Sequence, residues 1–576
     1  MSIIDHFRFS SEDIEKLKQT EHYGKRIGEN WPVVYILNNS EEAYVGETHH
    51  ASVRMSQHLN TPSKQGMEQV SLITDSRFNK SVILDLEAFL IKHMGSDGKF
   101  RLQNGNHGLQ DHDYYDRSTY EDSFLKIWSK LRKCGIADRT ISEIENSNLY
   151  KYSPYKTLGA EQMEAEKQIL QTFAEYKAKD GGVSIVVNGG AGTGKTILGI
   201  YLMKLFADIN AQSEDIMDPL DFLDEDVESI VAADSLVGIR KIGIVMPQST
   251  LQKSIQDVFG SIRGLGKSMV LSPADVVKDY VKTGEKFDLL IVDESHRLKC
   301  RWKGHLSSYK IFDDCCSILG IDKEKGSELE WIMKCSDNQI FFRDELQTVR
   351  PCDLDGREFI EVIGRYHDTE ISIPLTTQWR CEGGNGYIDY VKNILACRPQ
   401  NRRGFDNYDF KLYRDVDRMV NRIKELDAEY GLCRNAAGYA WKWISKGKDN
   451  RDRFDIEIGD YQYRWNTEYK NWINTPDSIN EIGCIHTLQG YDLNYVGLII
   501  GRDIYYDNES GTIKADKDNY HDQQGKSGVA NDPAALLEYL TNIYLTLMTR
   551  GIKGTYLYIC DDALREYFEQ YVEYAD

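Results

Sequence analysis

The eight residues Gly189-Gly190-Ala191-Gly192-Thr193-Gly194-Lys195-Thr196 constrain this chain more than any other stretch. They complete the pattern GxxxxGK[ST], preceded by the apolar run SIVVN and followed by ILGIYLMKLF, which reads as a helix. Strand, glycine-rich turn and helix in this order close backbone N–H groups around phosphates, bring Lys195 to the β and γ oxygens and offer the Thr196 hydroxyl to a magnesium ion. A chance glycine turn would not bring its own strand and helix. The stretch therefore predicts an α/β domain with a parallel sheet, binding ATP and Mg2+.

Further on, Phe287-Asp288-Leu289-Leu290-Ile291-Val292-Asp293-Glu294-Ser295-His296 is an apolar strand ending in two carboxylates. Asp293 is placed to hold the magnesium and Glu294 to orient an attacking water. Four more motifs follow in order. A strand at Gln339–Phe342 leads into Asp344-Glu345-Leu346-Gln347, and Leu375–Arg380 ends in a cation. Gly483–Asp492 contains Gln489-Gly490, and Thr546-Leu547-Met548-Thr549-Arg550 ends in a second cation. A plain P-loop phosphotransferase leaves Gln347, Gln489 and Arg550 unexplained. Short apolar runs at Ser184–Asn188, Ile242–Met246, Leu289–Val292, Ile340–Phe342, Ile485 onward, Val496–Ile500 and Tyr556–Cys560 alternate with helical stretches. That texture predicts parallel sheets covered on both faces.

The motif order resembles superfamily 1 helicases, in which two RecA-like domains clamp one ATP. By that resemblance Gln347 senses the γ-phosphate, Arg380 and Arg550 are arginine fingers, and Gln489-Gly490 couples the bound strand to the nucleotide. Charge developing on a phosphoryl group calls for cations that domain closure can deliver. Leu158-Gly159-Ala160-Glu161-Gln162 resembles the adenine-reading segment, although Gln162 reads equally well as a surface helix residue. The wording of AAGYAWKW (436–443), YRWN (463–466) and IGCIHTLQGYDLNYVGLIIG (482–501) resembles the Schlafen group 3-like DNA/RNA helicase family over about 156–576. Trp441, Trp443 and Trp465 could stack on bases, with core packing the stronger expectation.

Ahead of the motor, Val33–Leu37 and Tyr44-Val45-Gly46 read as a strand pair, followed by a helix that sets Arg54 and His58 one turn apart. Leu84–His93 reads as an amphipathic helix, with Leu86, Leu90 and Ile91 near Glu87. A lone helix glutamate usually faces solvent, but this apolar surround points its carboxylate toward a pocket. Leu102-Gln103-Asn104-Gly105 then turns after a short strand. Together these residues resemble the GIY-YIG nuclease domain, with Tyr35 in the first signature and Tyr44-Val45-Gly46 as the second. Val33-Val34 stands where that family has Gly-Ile. The resemblance implies that Glu87 carries a divalent ion, Mg2+ or Mn2+, which polarises the scissile phosphate. It further implies that Arg54 neutralises charge on the phosphate, that Tyr35, Tyr44 or His58 positions or deprotonates water, and that Asn104, with Asn106 as rival, closes the set.

A net charge of −21, taken as a whole-chain figure, opposes a nucleic-acid partner. Its distribution removes the objection, because ten acidic residues and no Lys or Arg lie between Phe206 and Gly238. Residues 1–110 carry 12 basic against 14 acidic side chains. Eleven cysteines without a CxxC pair argue against zinc and disulfides and for a reduced cytoplasm. No apolar run has the length of a membrane span, and the start lacks the shape of a signal peptide.

At 576 residues the chain exceeds a single core. The expected division is a GIY-YIG-like nuclease domain at 1–110 and a helical connector at 111–155. RecA-like domain 1 is expected at 156–370, with an acidic insertion at about 206–238, and RecA-like domain 2 at 371–576. The expected function is an ATP-dependent nuclease–helicase acting on DNA or RNA, DNA favoured, with no membrane partner and self-association left open. The alternative is an ATP-driven sensor or remodeler whose front domain only binds. The pairing of nuclease and motor resembles bacterial anti-phage defence, which is analogy and not mechanism.

Overall fold

The structure is a computed structural model that describes residues 2–105, 117–177, 182–190, 192–212, 239–247, 249–301, 306–344, 354, 356–367, 370–378, 381–445, 453–468, 472–488, 491–526, 529 and 531–576. The chain divides into two compact units. One comprises residues 1–181, 196–244 and 253–270; the other comprises 182–195, 245–252 and 271–576.

The first unit begins with a five-stranded sheet of β1 (Ile3–Arg8), β2 (Val33–Asn38), β3 (Glu42–Thr48), β4 (Gln69–Thr74) and β5 (Arg101–Leu102). The order is β1-β4-β2-β3-β5, antiparallel except for the β3–β5 pair. All six β2 side chains are buried, as a continuous apolar run covered on both faces requires. Val33, Tyr35 and Leu37 share one face by the two-residue period. They form a core with Ile14 and Leu17 of α1 (Ser11–Gln19) and Met55 of α2 (Ala51–Leu59). Helix α3 (Lys80–Asp97) packs on β2 and β3. It starts on the Asn79 side chain and stops at Gly98, whose φ of +79° suits glycine.

The segment expected as a connector is helical and part of this body. Helices α4 (Arg117–Lys133), α5 (Ile141–Glu145) and α6 (Asn148–Lys151) lie against α3. The buried Asp97 carboxylate accepts the Asp138 and Arg139 N–H groups at 3.0 and 2.7 Å. The unit continues through α7 (Ala160–Lys177) and nearly all of α8 (Lys195–Gln212). Tyr155 is buried beside Asp208 and Arg263, and burial pushes its hydroxyl well above the usual phenol range. Glu42 pairs with Arg263 at 3.9 Å. Asp208, counted above with the acidic stretch, therefore belongs to a helix, where it pairs with Lys204. Residues 213–238 lie outside the described residues.

Most strands of the two parallel sheets belong to the second unit. β6 (Ser184–Gly189) belongs to a six-stranded sheet with β7 (Ile242–Val245), β8 (Val270–Leu271), β9 (Phe287–Val292), β10 (Ser336–Arg343) and β11 (Glu370–Leu375), in the order β8-β7-β9-β10-β6-β11. The β9–β10, β10–β6 and β6–β11 pairs are parallel. Another sheet combines β12 (Asp409–Tyr413), β13 (Arg434–Ala437), β14 (Ile482–Gly483), β15 (Leu493–Ile500), β16 (Gly551–Ile559) and β17 (Glu573–Tyr574). Its order is β14-β13-β15-β16-β12-β17, parallel throughout. Both sheets are consistent with RecA-like domains.

Two expectations need correction. A boundary at 370/371 would cut β11, whose Glu370 pairs with Ser184 and Leu375 with Gly189; the first sheet therefore runs to Leu375. The run from Ile485 is a short helix, Ile485–Leu488, because the apolar residues there are too few for a ladder and Cys484 N–H is capped by Thr487 Oγ1 at 3.0 Å. Among the described residues no helix is long and apolar enough to cross a membrane, and the cysteines form no disulfide.

Candidate functional site

β6 delivers the chain into the glycine loop, where Gly192 and Gly194 have φ of +80° and +82°, conformations that L side chains resist. The Lys195 ammonium is buried and donates to the carbonyls of Gly189 and Gly190 at 2.6 and 2.8 Å. It also lies 3.8 Å from the Asp344 carboxylate, just past β10. Thr193 Oγ1 donates to Gly190 O at 3.0 Å, closing the turn. A Cβ at Gly192 would overlap the Gln378 carboxamide. Thr196 is the second residue of α8 and is half-buried. Ala191 lies outside the described residues.

Asp293 sits fully buried at the end of β9, its N–H donating to Val245 O at 3.0 Å. The next residue, Glu294, adopts φ +50°, a left-handed conformation rare for a side-chain-bearing residue and common at functional turns. Its Oε2 lies 3.0 Å from His296 Nε2, and His296 Nδ1 accepts the Asp344 N–H at 3.3 Å. Burial pushes the Glu294 carboxyl up, but His296, Lys195 and Arg297 outweigh it and hold the carboxyl well below the usual range. Glu294 is thus a half-buried anion set beside a histidine. His296 and Asp344 stood inside quoted motifs without a role; the sequence offered no signal that one would tie the other to Glu294.

The loop faces a cleft of about 310 Å³ lined by Gly190, Thr193, Asp344 and Gln378. Lys392 of α9 (Gly384–Leu395) and Thr546 of α10 (Pro533–Met548) close its other side. Loop amides, a lysine and a volume within the usual ligand range fit a nucleotide. Asp293 and Thr196 offer the hard oxygen donors that Mg2+ prefers.

Arg550, directly after α10, is buried, with its Nη1 donating to Tyr491 O at 3.5 Å. Arg380, Gln347, Gln489 and Gly490 lie outside the described residues. Gln162 is not a surface residue. It is buried, and its Oε1 accepts the Gly159 N–H at 3.0 Å, the reach-back half of a capping box at the start of α7. Trp465 is fully buried and stacked on Tyr439 with rings 5.4 Å apart, so it packs in the core.

On the amino-terminal sheet, Tyr35, Tyr44, Arg54 and His58 come together. The Tyr35 hydroxyl lies 2.8 Å from His58 Nε2 and 3.4 Å from Arg54 Nε. Gly46, opposite Tyr35 across the β2–β3 pair, leaves room for that ring, since a Cβ there would overlap its hydroxyl end. The Tyr44 ring meets His58 edge-on at 5.4 Å, and the Lys64 ammonium stands 3.4 Å above its centroid. His58 is only 2% exposed. Burial, with Arg54 and Lys64 nearby, pushes its pKa down to about 3, so the ring is neutral. Arg54 Nε–H donates to the Tyr35 oxygen, and the Tyr35 hydroxyl shares a hydrogen bond with His58 Nε2.

Glu87 is half-buried two turns into α3. Asn104 spends its carboxamide on the backbone of Val45, accepting from its N–H at 2.9 Å and donating to its carbonyl at 2.8 Å. It thereby completes the ladder at the edge of β3. Asn106 lies outside the described residues. Lys64, which sequence reasoning missed, donates to Gln103 Oε1 at 3.0 Å, and Gln103 donates to Glu42 at 2.7 Å. Among the described residues no three His, Cys, Asp or Glu side chains form a metal-ligand group.

Two comparisons bear on this arrangement. The chain is 27% identical over 438 residues to an uncharacterized protein of Saccharomyces cerevisiae, YPL245W, a match covering 71% of this chain and 90% of that protein. The family model described as Schlafen group 3, DNA/RNA helicase domain, matches residues 183–561, a span that holds the glycine loop, the Asp293-Glu294 carboxylates and the cleft. This chain belongs to the Schlafen group 3 DNA/RNA helicase domain family.

Proposed function

We propose that this chain is a nucleic-acid-dependent ATPase whose amino-terminal domain cuts the strand the motor engages. The observation that carries the motor half is the set Lys195, Asp344, His296 and Glu294, of which Asp344 lines the cleft. Lys195 would meet the β and γ oxygens of ATP, Asp293 and Thr196 would hold the magnesium that supplies Lewis acidity, and the anionic Glu294 would orient the attacking water. Arg380 and Arg550 supply cations to the transferring phosphoryl group in this reading.

The nuclease half rests on the Arg54–Tyr35–His58 relay. The guanidinium donating to the phenolic oxygen and the hydrogen bond shared with the neutral His58 ring fix the Tyr35 hydroxyl in place. Tyr35, only 1% exposed, holds Arg54 in place, and Arg54 can neutralise charge that builds on the scissile phosphate. His58 is equally shut away and orients Tyr35, so neither ring meets the attacking water. Glu87 is the residue that would hold Mg2+ or Mn2+, whose Lewis acidity acts on the phosphate and the leaving oxygen. DNA is the favoured substrate, and removal of foreign nucleic acid is one setting for such a pairing.

The test is one set of assays with single-stranded DNA, duplex DNA and RNA, scoring ATP hydrolysis and cleavage in the same tubes. Glu87→Ala abolishes cutting and leaves ATP hydrolysis intact; cleavage by the purified variant refutes the nuclease site. Lys195→Ala abolishes ATP turnover; unchanged turnover refutes the motor site. Stimulated ATPase without cleavage on any substrate leaves the front domain as a docking module.

A further inference from the structure

The cleft at the glycine loop adjoins the amino end of β16, since Thr546 and Thr549 line it and Gly551 begins the strand. A second cavity of about 740 Å³ lies at the carboxyl ends of β13, β15 and β16, lined by residues that follow each of them, including Trp441, Arg502 and Cys560. The nine residues of β16 separate the two by roughly 25–30 Å at about 3.3 Å per residue. In open parallel sheets the crevice beyond the carboxyl ends of the strands is where ligands bind.

Its lining is mixed: Trp441 and Phe454 supply aromatic surface, and Lys442, Arg502 and Arg565 stand among Asp455, Glu457 and Asp562. Trp441 lies over the end of β15, where Gly501 admits the ring; a Cβ there would come 3.1 Å from it. Ile444 and Phe454 add apolar wall at 44% and 37% exposure, unusually open for such side chains. Lys442 and Arg502 are exposed at the rim, and neither makes a hydrogen bond or ion pair among the described residues. The carboxylates beside them have partners, Glu457 accepting from Gln462 Nε2 at 3.2 Å. Asp455 accepts from the Ile444, Ser445 and Trp465 N–H groups and from the Ser445 hydroxyl, and Asp562 pairs with Arg565. The site therefore offers a π surface and unspent cations, the combination that takes a base together with its phosphate.

We infer that this cavity binds a nucleotide unit of single-stranded nucleic acid, the base stacking on Trp441 and the phosphate meeting Arg502 and Lys442. The inference rests on the reading of the chain as a nucleic-acid motor and adds a contact remote from the ATP cleft.

The test uses the full chain and fluorescein-labelled oligo(dT) and oligo(rU), titrated by anisotropy at several salt concentrations. Trp441→Ala weakens strand binding about tenfold. Arg502→Glu weakens it about tenfold at low salt and flattens the salt dependence by about one charge. Binding of a fluorescent ATP analogue stays unchanged in both. Should Trp441→Ala unfold, judged by circular dichroism, the exposed pair Arg502→Glu and Lys442→Glu carries the test. Wild-type strand affinity in the folded variants overturns the site while leaving the motor reading intact. A wild-type chain that binds neither oligonucleotide and shows no strand-stimulated ATPase overturns both.

Discussion

The buried His58 makes the amino-terminal sheet sensitive to acid in a way that can be measured. Its ordinary pKa is 6.5, and in the fold it is pushed down to about 3 by burial and by Arg54 and Lys64. The groups facing the ring are Tyr35, Tyr44, Arg54 and Lys64. A depressed folded pKa means that the unfolded chain binds the proton more tightly. The stabilising contribution is therefore complete above 6.5 and is lost as pH falls toward 3. Between neutral pH and about pH 4.5, linkage gives a loss of about 2–3 kcal/mol, on the order of a hundredfold in the opening equilibrium. The assay is amide hydrogen exchange at Tyr35 and the other β2 amides, corrected for intrinsic rates, in wild type and His58→Gln. Wild type loses about a hundredfold in protection over that interval, and the variant, which keeps a hydrogen-bonding group without the titration, loses much less. Equal losses in the two proteins, or a His58 ring that titrates near 6.5 by NMR, would refute the reasoning.

Gly46→Ala drives a methyl into the Tyr35 hydroxyl and costs about 1–3 kcal/mol by overpacking; thermal melting should fall by several degrees, and cleavage should be lost. Gly192→Ala meets both the left-handed backbone and the Gln378 carboxamide, and should weaken ATP binding about tenfold or more by calorimetry. Glu294→Gln keeps the shape and removes the anion. ATP turnover should drop by about a hundredfold or more with ATP affinity held, and a variant at wild-type rate would show that Glu294 does not act on the water.

The loop at 189–196 and the Asp293-Glu294 pair were readable because their chemistry is local: one strand, one turn and the residues that end them. Tyr35, Arg54 and His58 were readable for a related reason, since one strand and one helical turn bring them together. What escaped depended on distant partners. His296 gains its role from Asp344, which only the adjacency of β9 and β10 brings within reach. Lys64 is surface-like by type, yet it is folded over Tyr44 and anchored by Gln103. β1 went unread because an edge strand needs little apolar content, and IIDHFR shows a mixed, half-exposed pattern. β11 fell across a boundary placed by texture, because only its pairing with β6 reveals which sheet owns it.

The first unit is stitched from three stretches of chain, and that has a consequence for how such a protein can be inherited. Tyr155 lies against Asp208, Asn148 reaches Ser254 at 3.5 Å, and Glu42 reaches Arg263. A front module gained or lost by one cut in a gene would leave an intact surface behind it. Here a cut before residue 156 strips neighbours from Asp208 in the helix that grows from the glycine loop and from Ser254 and Arg263 further downstream. Fragments beginning there should be poorly soluble unless Asp208, Ser254 and Arg263 change together, and lineages that discard the front module should carry compensating substitutions at those positions.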